Sequence, residues 1–390
     1  MALKSNFRTL ITAACFIILQ VSITCASGVP VRIGVTVSLE GKYLEPSLMV
    51  QSGYRLWEKQ INERGGLLGR PVKVLFFNDK SNPDLVGPLY EKLIKQENVD
   101  MVLSPYGTPL TLKASEVTER YGYTMLACAA AGDMIWSREY EYIFGVYALA
   151  ERYYIGFQDL MARNGIYNLG LVYESSDFHR AVAKGVKKWA KRFHLNLAYE
   201  NGYPVAVNDF ESILEQAAQK DLDGLIFSAY PPDCYAFIDI MKQKGYRPGA
   251  LAFSIVPIHP EFNTRVGPFG DNIFAPSQWE PDERIPFPGT QQFIKDFKTF
   301  SGTMPTYHAA SAYSACQILE KAVSHTGVID HKKIRKYISS FDTVTIMGRF
   351  KVDHTGRQVG HNPILIQWQD NKKQIVYPIN MRTAAPRFHN

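Results

Sequence analysis

The chain has 390 residues and a formal net charge of +6, with 46% hydrophobic and 21% charged residues. That length exceeds one comfortable hydrophobic core and predicts two domains. Basic and acidic side chains are interspersed, which argues against a nucleic-acid surface. Beyond the N-terminal segment, no stretch approaches the roughly 20 unbroken apolar residues of a membrane span.

Residues 1–27 read as an export signal. Lys4 and Arg8 form a positive start, Leu10 to Ile23 is mostly apolar, and Ala26, Ser27 and Gly28 are small. The expected location is the periplasm. The competing reading is a lipoprotein anchored at Cys25, with Thr24 standing where such sites carry a small residue.

Val31 to Leu39 reads as a buried strand. A loop with Gly41, Tyr43 and Pro46 follows, then a helix through Trp57 and Ile61. The helix stops at Asn62-Glu63-Arg64-Gly65-Gly66, and Val72 to Asp79 is a second strand. Gly65-Gly66 supplies the positive φ that a sharp stop requires, so the pair is structural. Helices follow from Pro83 to Glu97 and from Thr108 to about Arg120, with Thr108 placed to cap the second. Short strands are expected at Val99–Leu103 and Thr124–Cys128, and an extended segment at Tyr142–Val146.

The same grammar restarts at Ala148, with one helix expected to about Asn164. Strands at Asn168–Tyr173, Leu195–Tyr199, Asp223–Ser228 and Ala250–Ile255 then alternate with helices. Asn272–Gln278 reads as a connecting strand. Helices at Thr290–Ser301, Tyr307–His325 and His331–Ser340 and strands at Gly348–Val352 and Ile364–Trp368 complete the series. Strands alternating with helices imply parallel sheets with right-handed crossovers. The fold class is α/β, with two lobes.

Catalytic and metal signals are weak. The nine histidines are scattered without ligand spacing, and there is neither a G-x-S-x-G elbow nor a phosphate-binding glycine loop. Cys128, Cys234 and Cys316 have no metal spacing and read as small buried hydrophobes. One disulfide among them is compatible with an oxidising compartment, and the sequence does not choose the pair.

From Ile61-Asn62-Glu63-Arg64-Gly65-Gly66-Leu67-Leu68-Gly69-Arg70-Pro71-Val72, the loop Ser104–Thr108 and the segment Gly348–Gly356, the chain resembles the leucine/isoleucine/valine-binding proteins of branched-chain amino-acid ABC transporters. The resemblance implies a type I periplasmic-binding-protein fold, each lobe a mainly parallel sheet flanked by helices. It also implies three hinge crossings, near Val146–Leu149, Ile273–Gln278 and Thr345–Arg349. Lobe one would combine 29–147 with 279–345, and lobe two 148–272 with 349–378, leaving 379–390 as an irregular tail. The implied function is capture of an amino acid, amide or small carboxylate and delivery to a membrane permease. Neither catalysis nor a cofactor nor a metal is expected, and the free protein is expected to be a monomer. A sensing ectodomain that docks a signalling receptor is the alternative; a secreted hydrolase is the weaker one.

Ligand is expected at the carboxyl ends of the strands of both lobes. By the resemblance, lobe one contributes Ser104, Tyr106, Gly107 and Thr108 from one loop and Ala129 and Ala131 from the next, with Tyr43 and Tyr147 lining the cleft. Thr108 has a purely capping role as its alternative. Lobe two contributes Tyr230 and Phe178 as aromatic covers and Ser254 beyond the strand that ends at Ile255. The family's amino-acid binders place an acidic residue there, whereas this chain has no carboxylate until Glu261. Asp133, Asp177 and Asp233 are the candidate substitutes, each equally well explained as a helix cap. An ammonium buried without a carboxylate is costly, so the ligand is expected to differ from a simple branched-chain amino acid.

Overall fold

A computed structural model describes residues 28–206 and 209–389. The expected export signal and Cys25 lie outside the described residues. The chain opens with β1 (Val31–Val37), α1 (Leu44–Glu63), β2 (Val72–Asn78), α2 (Pro83–Lys95), β3 (Met101–Val102), α3 (Thr108–Tyr121), β4 (Met125–Ala127) and β5 (Ile143–Gly145). It continues with α4 (Ile155–Arg163), β6 (Asn168–Glu174), α5 (Asp177–Arg192), β7 (Asn196–Tyr203), α6 (Phe210–Ala218), β8 (Gly224–Ser228), α7 (Pro231–Lys244) and β9 (Ala250–Phe253). The last part holds α8 (Phe262–Val266), β10 (Ile273–Ser277), α9 (Thr290–Ser301), α10 (Tyr307–Thr326), α11 (His331–Ser340), β11 (Thr343–Thr345), β12 (Gly348–Phe350), β13 (Ile364–Gln369) and β14 (Lys372–Tyr377).

Two lobes result. In the first, β2-β1-β3 form a parallel sheet, and β4 and β5 pair in parallel beside it. The second holds a seven-stranded sheet in the order β14-β13-β10-β9-β8-β6-β7. Its central strands are parallel, and β13 and β14 run antiparallel at one edge. Strands such as β1 and β8 are buried on both faces, which is why they read as continuous apolar runs. Helices α9 and α10 return to pack on α1 of the first lobe.

The turn after α1 works as its residues predict. Gly65 and Gly66 take φ of +96° and +79°, and the Gly66 N–H donates to the Ile61 carbonyl at 2.8 Å. The Asn62 side chain then clamps the start of β2. Its Nδ2 donates to the Val72 carbonyl at 2.9 Å, and its Oδ1 accepts the Val72 N–H at 2.7 Å.

Four local expectations are corrected. The helix expected from Ala148 is a 3-10 turn at Ala150–Arg152 followed by α4, because the Ala150 N–H is taken by the Ala131 carbonyl at 2.8 Å. Asn272–Gln278 contains a full inner strand, β10, paired with both β9 and β13. No strand was expected after Trp368, yet Asp370 and Asn371 take φ of +52° and +60° and turn the chain back into β14. Thr108 is the first residue of α3, not its cap. Gly107 holds the cap position with no side-chain bond, and the Thr108 hydroxyl accepts the Gly132 N–H at 3.1 Å.

The three cysteines, Cys128, Cys234 and Cys316, are buried and free. The Cys128 thiol shares a hydrogen bond of 2.9 Å with the Tyr54 hydroxyl.

Candidate functional site

The loops at the carboxyl ends of the strands of both lobes converge on one cavity. From the first lobe, Tyr106, Gly107 and Thr108 follow β3, Ala129 and Ala131 follow β4, and Tyr147 follows β5. Tyr307 and His308 open α10 on the same side. The second lobe supplies Tyr230 after β8, Ile255 after β9, Phe178 from the first turn of α5, and Tyr153. These residues enclose a cavity of only about 10 Å³, about the room of a single water. The lobes are therefore in contact across the site.

Backbone and hydroxyl groups stitch the first-lobe wall together. Gly107 sits at φ +83°, and its N–H donates to the Ala129 carbonyl at 2.9 Å. That conformation is open to glycine at little cost. It sets Thr108 at the head of the 14-residue α3, with its own N–H free of any intrahelical acceptor. Across the cavity, Ile255 adopts φ +59° and ψ −63°, and the Val256 N–H bonds the Ser254 carbonyl at 2.6 Å. A β-branched residue in this tight turn is strained, and such strain persists where surrounding structure over-determines it.

The lining is aromatic and uncharged. Five tyrosines, Phe178 and His308 supply most of it, and no Asp, Glu, Lys or Arg is among them. Edge-to-face contacts link the rings: Tyr106 to His308 at 5.2 Å, Tyr147 to Tyr307 at 5.4 Å and Tyr153 to Phe178 at 5.4 Å. Burial pushes the hydroxyls of Tyr106, Tyr147, Tyr230 and Tyr307 well above the usual tyrosine range, so they remain protonated donors. Burial drives His308 down to about 3, so its ring is neutral at neutral pH.

Two donors stand out. Tyr147 and Tyr230 are 2% and 1% exposed, and their hydroxyls, close to those of Ser311 and Tyr43 respectively, make no hydrogen bond of good geometry. Nineteen buried side-chain polar atoms among the described residues lack a partner, and these two are the ones on the cavity lining, one from each side of the cleft.

The family model described as periplasmic binding protein matches residues 30–373. The chain belongs to the periplasmic binding protein family. The Leu/Ile/Val-binding protein homolog 7 of Brucella suis is 22% identical over 345 residues, covering 84% of this chain and 86% of that protein. Among solved structures, the branched-chain amino-acid substrate-binding protein LivJ of Streptococcus pneumoniae, in complex with isoleucine, superposes with a TM-score of 0.81 at 17% identity, covering 90% of this chain and all of that one. A solute-binding protein of R. palustris in complex with benzoate gives 0.78 at 19% identity, covering 93% and 98%. At these identities the structural likeness establishes the fold. The resemblance to the leucine/isoleucine/valine-binding type and the two-lobed fold class are both borne out. Membership places this periplasmic binding protein outside the cytoplasm, and none of its described helices is long and apolar enough to cross a membrane.

Of the residues expected at the site, Tyr106, Gly107, Thr108, Ala129, Ala131, Tyr147, Phe178 and Tyr230 line the cavity. Three others stand behind the wall. The Ser104 hydroxyl is committed to the Cys128 N–H at 3.0 Å. The Ser254 hydroxyl exchanges bonds with the Ala229 backbone, accepting at 3.0 Å and donating at 2.9 Å. Tyr43 packs its ring on Tyr230, centroids 4.6 Å apart. Ile255, Tyr153, Tyr307 and His308 were not anticipated. The aromatic pair Tyr307-His308 directly after Pro305-Thr306, at a helix start, was the available signal. Trp279 is a packing residue against Phe293, centroids 6.0 Å apart.

Proposed function

We propose that this periplasmic binding protein captures one small organic carboxylate between its lobes and delivers it to the membrane permease of an ABC transporter. The observation that carries the reading is the pair of orphaned hydroxyls, Tyr147 and Tyr230, buried in a cavity that both lobes build. A bound acceptor would satisfy both, and each bond to a charged acceptor contributes about 1.5–3 kcal/mol. The free amide at the head of α3 favours an anion in the same place. The uncharged, ring-lined walls favour an apolar body on that carboxylate, and aromatic or branched aliphatic acids and amides fit that description. The structural neighbour that holds benzoate supports the aromatic option, and the one that holds isoleucine keeps amino acids in the test panel.

In this reading the first lobe comprises 29–147 with 279–345 and the second 148–277, which takes in β10, with 349–378, joined by three crossings. Residues 1–27 direct export, and the protein works as a monomer without a cofactor. Ligand stabilises the closed pair of lobes, which is the form a permease would recognise. A thermal-shift screen of small aromatic and aliphatic acids, amides and amino acids tests this. A ligand that binds the folded state stabilises it by RT ln(1 + [L]/Kd), so the melting temperature rises with the logarithm of ligand concentration above Kd. Such a concentration-dependent rise with at least one acid, recovered unchanged afterwards, is expected. No rise with any compound, or consumption of the compound, overturns the proposal.

A further inference from the structure

A partly buried ion pair joins the two lobes beside the cavity. Lys42, in the loop after β1 of the first lobe, reaches Glu174, the last residue of β6 in the second. Its Nζ stands 2.9 Å from the Glu174 Oε1, and the Glu174 side chain is 3% exposed. The same ammonium lies over the Tyr230 ring, 4.9 Å from its centroid, and over Tyr43 at 5.3 Å. Tyr230 is thus a shared wall, with the ligand cavity against it and Lys42 on its ring. Lys373 with Glu280 at 2.5 Å also joins the lobes, with Glu280 buried, whereas Lys184 with Asp133 at 3.8 Å and Arg265 with Glu45 at 3.9 Å are longer and have well-exposed basic partners. Such surface pairs contribute little.

We infer that Lys42 is a specificity-determining residue: its ammonium occupies the carboxylate and aromatic faces that would otherwise receive the ammonium of an α-amino acid. The inference rests on the carboxylate-binding reading above. Glu174 is a buried acidic side chain whose cation partner lies on the Tyr230 ring, and aromatic faces attract cations. With both satisfied from within the protein, a ligand ammonium entering the cavity meets only neutral groups. It would lose its hydration without compensation. A carboxylate lacking the amine has no such group to desolvate. Lys42 also ties the lobes together in the closed state, so the selection is made at closure.

The test compares matched pairs that differ only in the amine: leucine with 4-methylpentanoate, and phenylalanine with 3-phenylpropanoate. Isothermal titration is run on the wild type, Lys42→Met, Lys42→Arg, Glu174→Gln and the Lys42→Met/Glu174→Gln double variant. The wild type is expected to prefer the amine-free member of a pair by at least tenfold. Lys42→Met leaves the Glu174 carboxylate buried without a cation, so its preference should shift toward the amino acid by tenfold or more. Lys42→Arg should keep the wild-type preference, and the double variant should show no shift toward the amino acid. Glu174→Gln alone should not gain amino-acid binding and checks that a folded variant is being read if Lys42→Met unfolds. A wild type that binds acids and amino acids equally, or a Lys42→Met variant that binds acids but shows no shift, overturns the role of Lys42. A wild type that binds neither member of either pair, nor any acid in the thermal-shift panel, overturns the underlying reading instead.

Discussion

The Tyr230 hydroxyl of one lobe reaches to 3.8 Å from the point where a Cβ on Gly107 of the other would stand. No side chain intervenes at that position, so the backbone at the head of α3 and the orphaned phenol face each other across the cleft. Tyr230→Phe and Tyr147→Phe should each weaken ligand binding by about 10–150-fold, the loss of one hydrogen bond to a charged acceptor of about 1.5–3 kcal/mol. Each hydroxyl is unpartnered in the free protein, so unliganded stability should stay level or rise. Titration calorimetry paired with thermal unfolding separates the two effects.

Thr108 joins the loops after β3 and β4 by accepting the Gly132 N–H. Thr108→Val keeps the shape but leaves that buried amide without an acceptor, at a cost of about 1–3 kcal/mol. Thr108→Ser should recover most of it. Denaturant midpoints of the three proteins test the difference.

Helices α1 and α10 meet closely at Gly53. A Cβ there would stand 2.3 Å from the Ala309 carbonyl oxygen, too near for any relaxation confined to a side chain. Gly53→Ala gains about 1 kcal/mol of helix propensity yet should lose about 1–3 kcal/mol net through the displaced backbone. A lower unfolding midpoint at unchanged denaturant slope is the expected result.

His308 makes stability depend on pH. Its folded value of about 3 lies below the ordinary histidine value of 6.5, so the unfolded chain binds the extra proton first as pH falls. The stability is complete above about pH 6.5 and declines as pH drops toward 3, by about 3 kcal/mol at pH 4. His308→Gln should reduce this acid slope, measured by urea unfolding between pH 4 and 7. It should leave the part due to His179 and His361, which burial also holds below the usual histidine range.

The lobes were legible because inner parallel strands such as β1 and β8, buried on both faces, appear as apolar runs, and helices of regular length separate them. Tyr106, Thr108 and Tyr230 were legible for a related reason, since they sit directly at the carboxyl ends of such runs. Strand β14 was not, because Lys372-Lys373-Gln374 on an edge strand looks like a polar loop. Lys42 and Glu174 were not legible either. They are 132 positions apart, and only the closure of the lobes brings them together. Ile255 was missed for a third reason: a strained turn leaves no signature in a run of apolar residues.

The most direct measurement is a crystal structure of the protein with the acid that gives the largest thermal shift. One ligand molecule is predicted between the lobes, its carboxylate within hydrogen-bond distance of the Tyr147 and Tyr230 hydroxyls and its apolar part against Phe178 and Tyr153. A ligand seated on the outer surface of either lobe, or held in the cleft with both hydroxyls still unpartnered, would contradict the account.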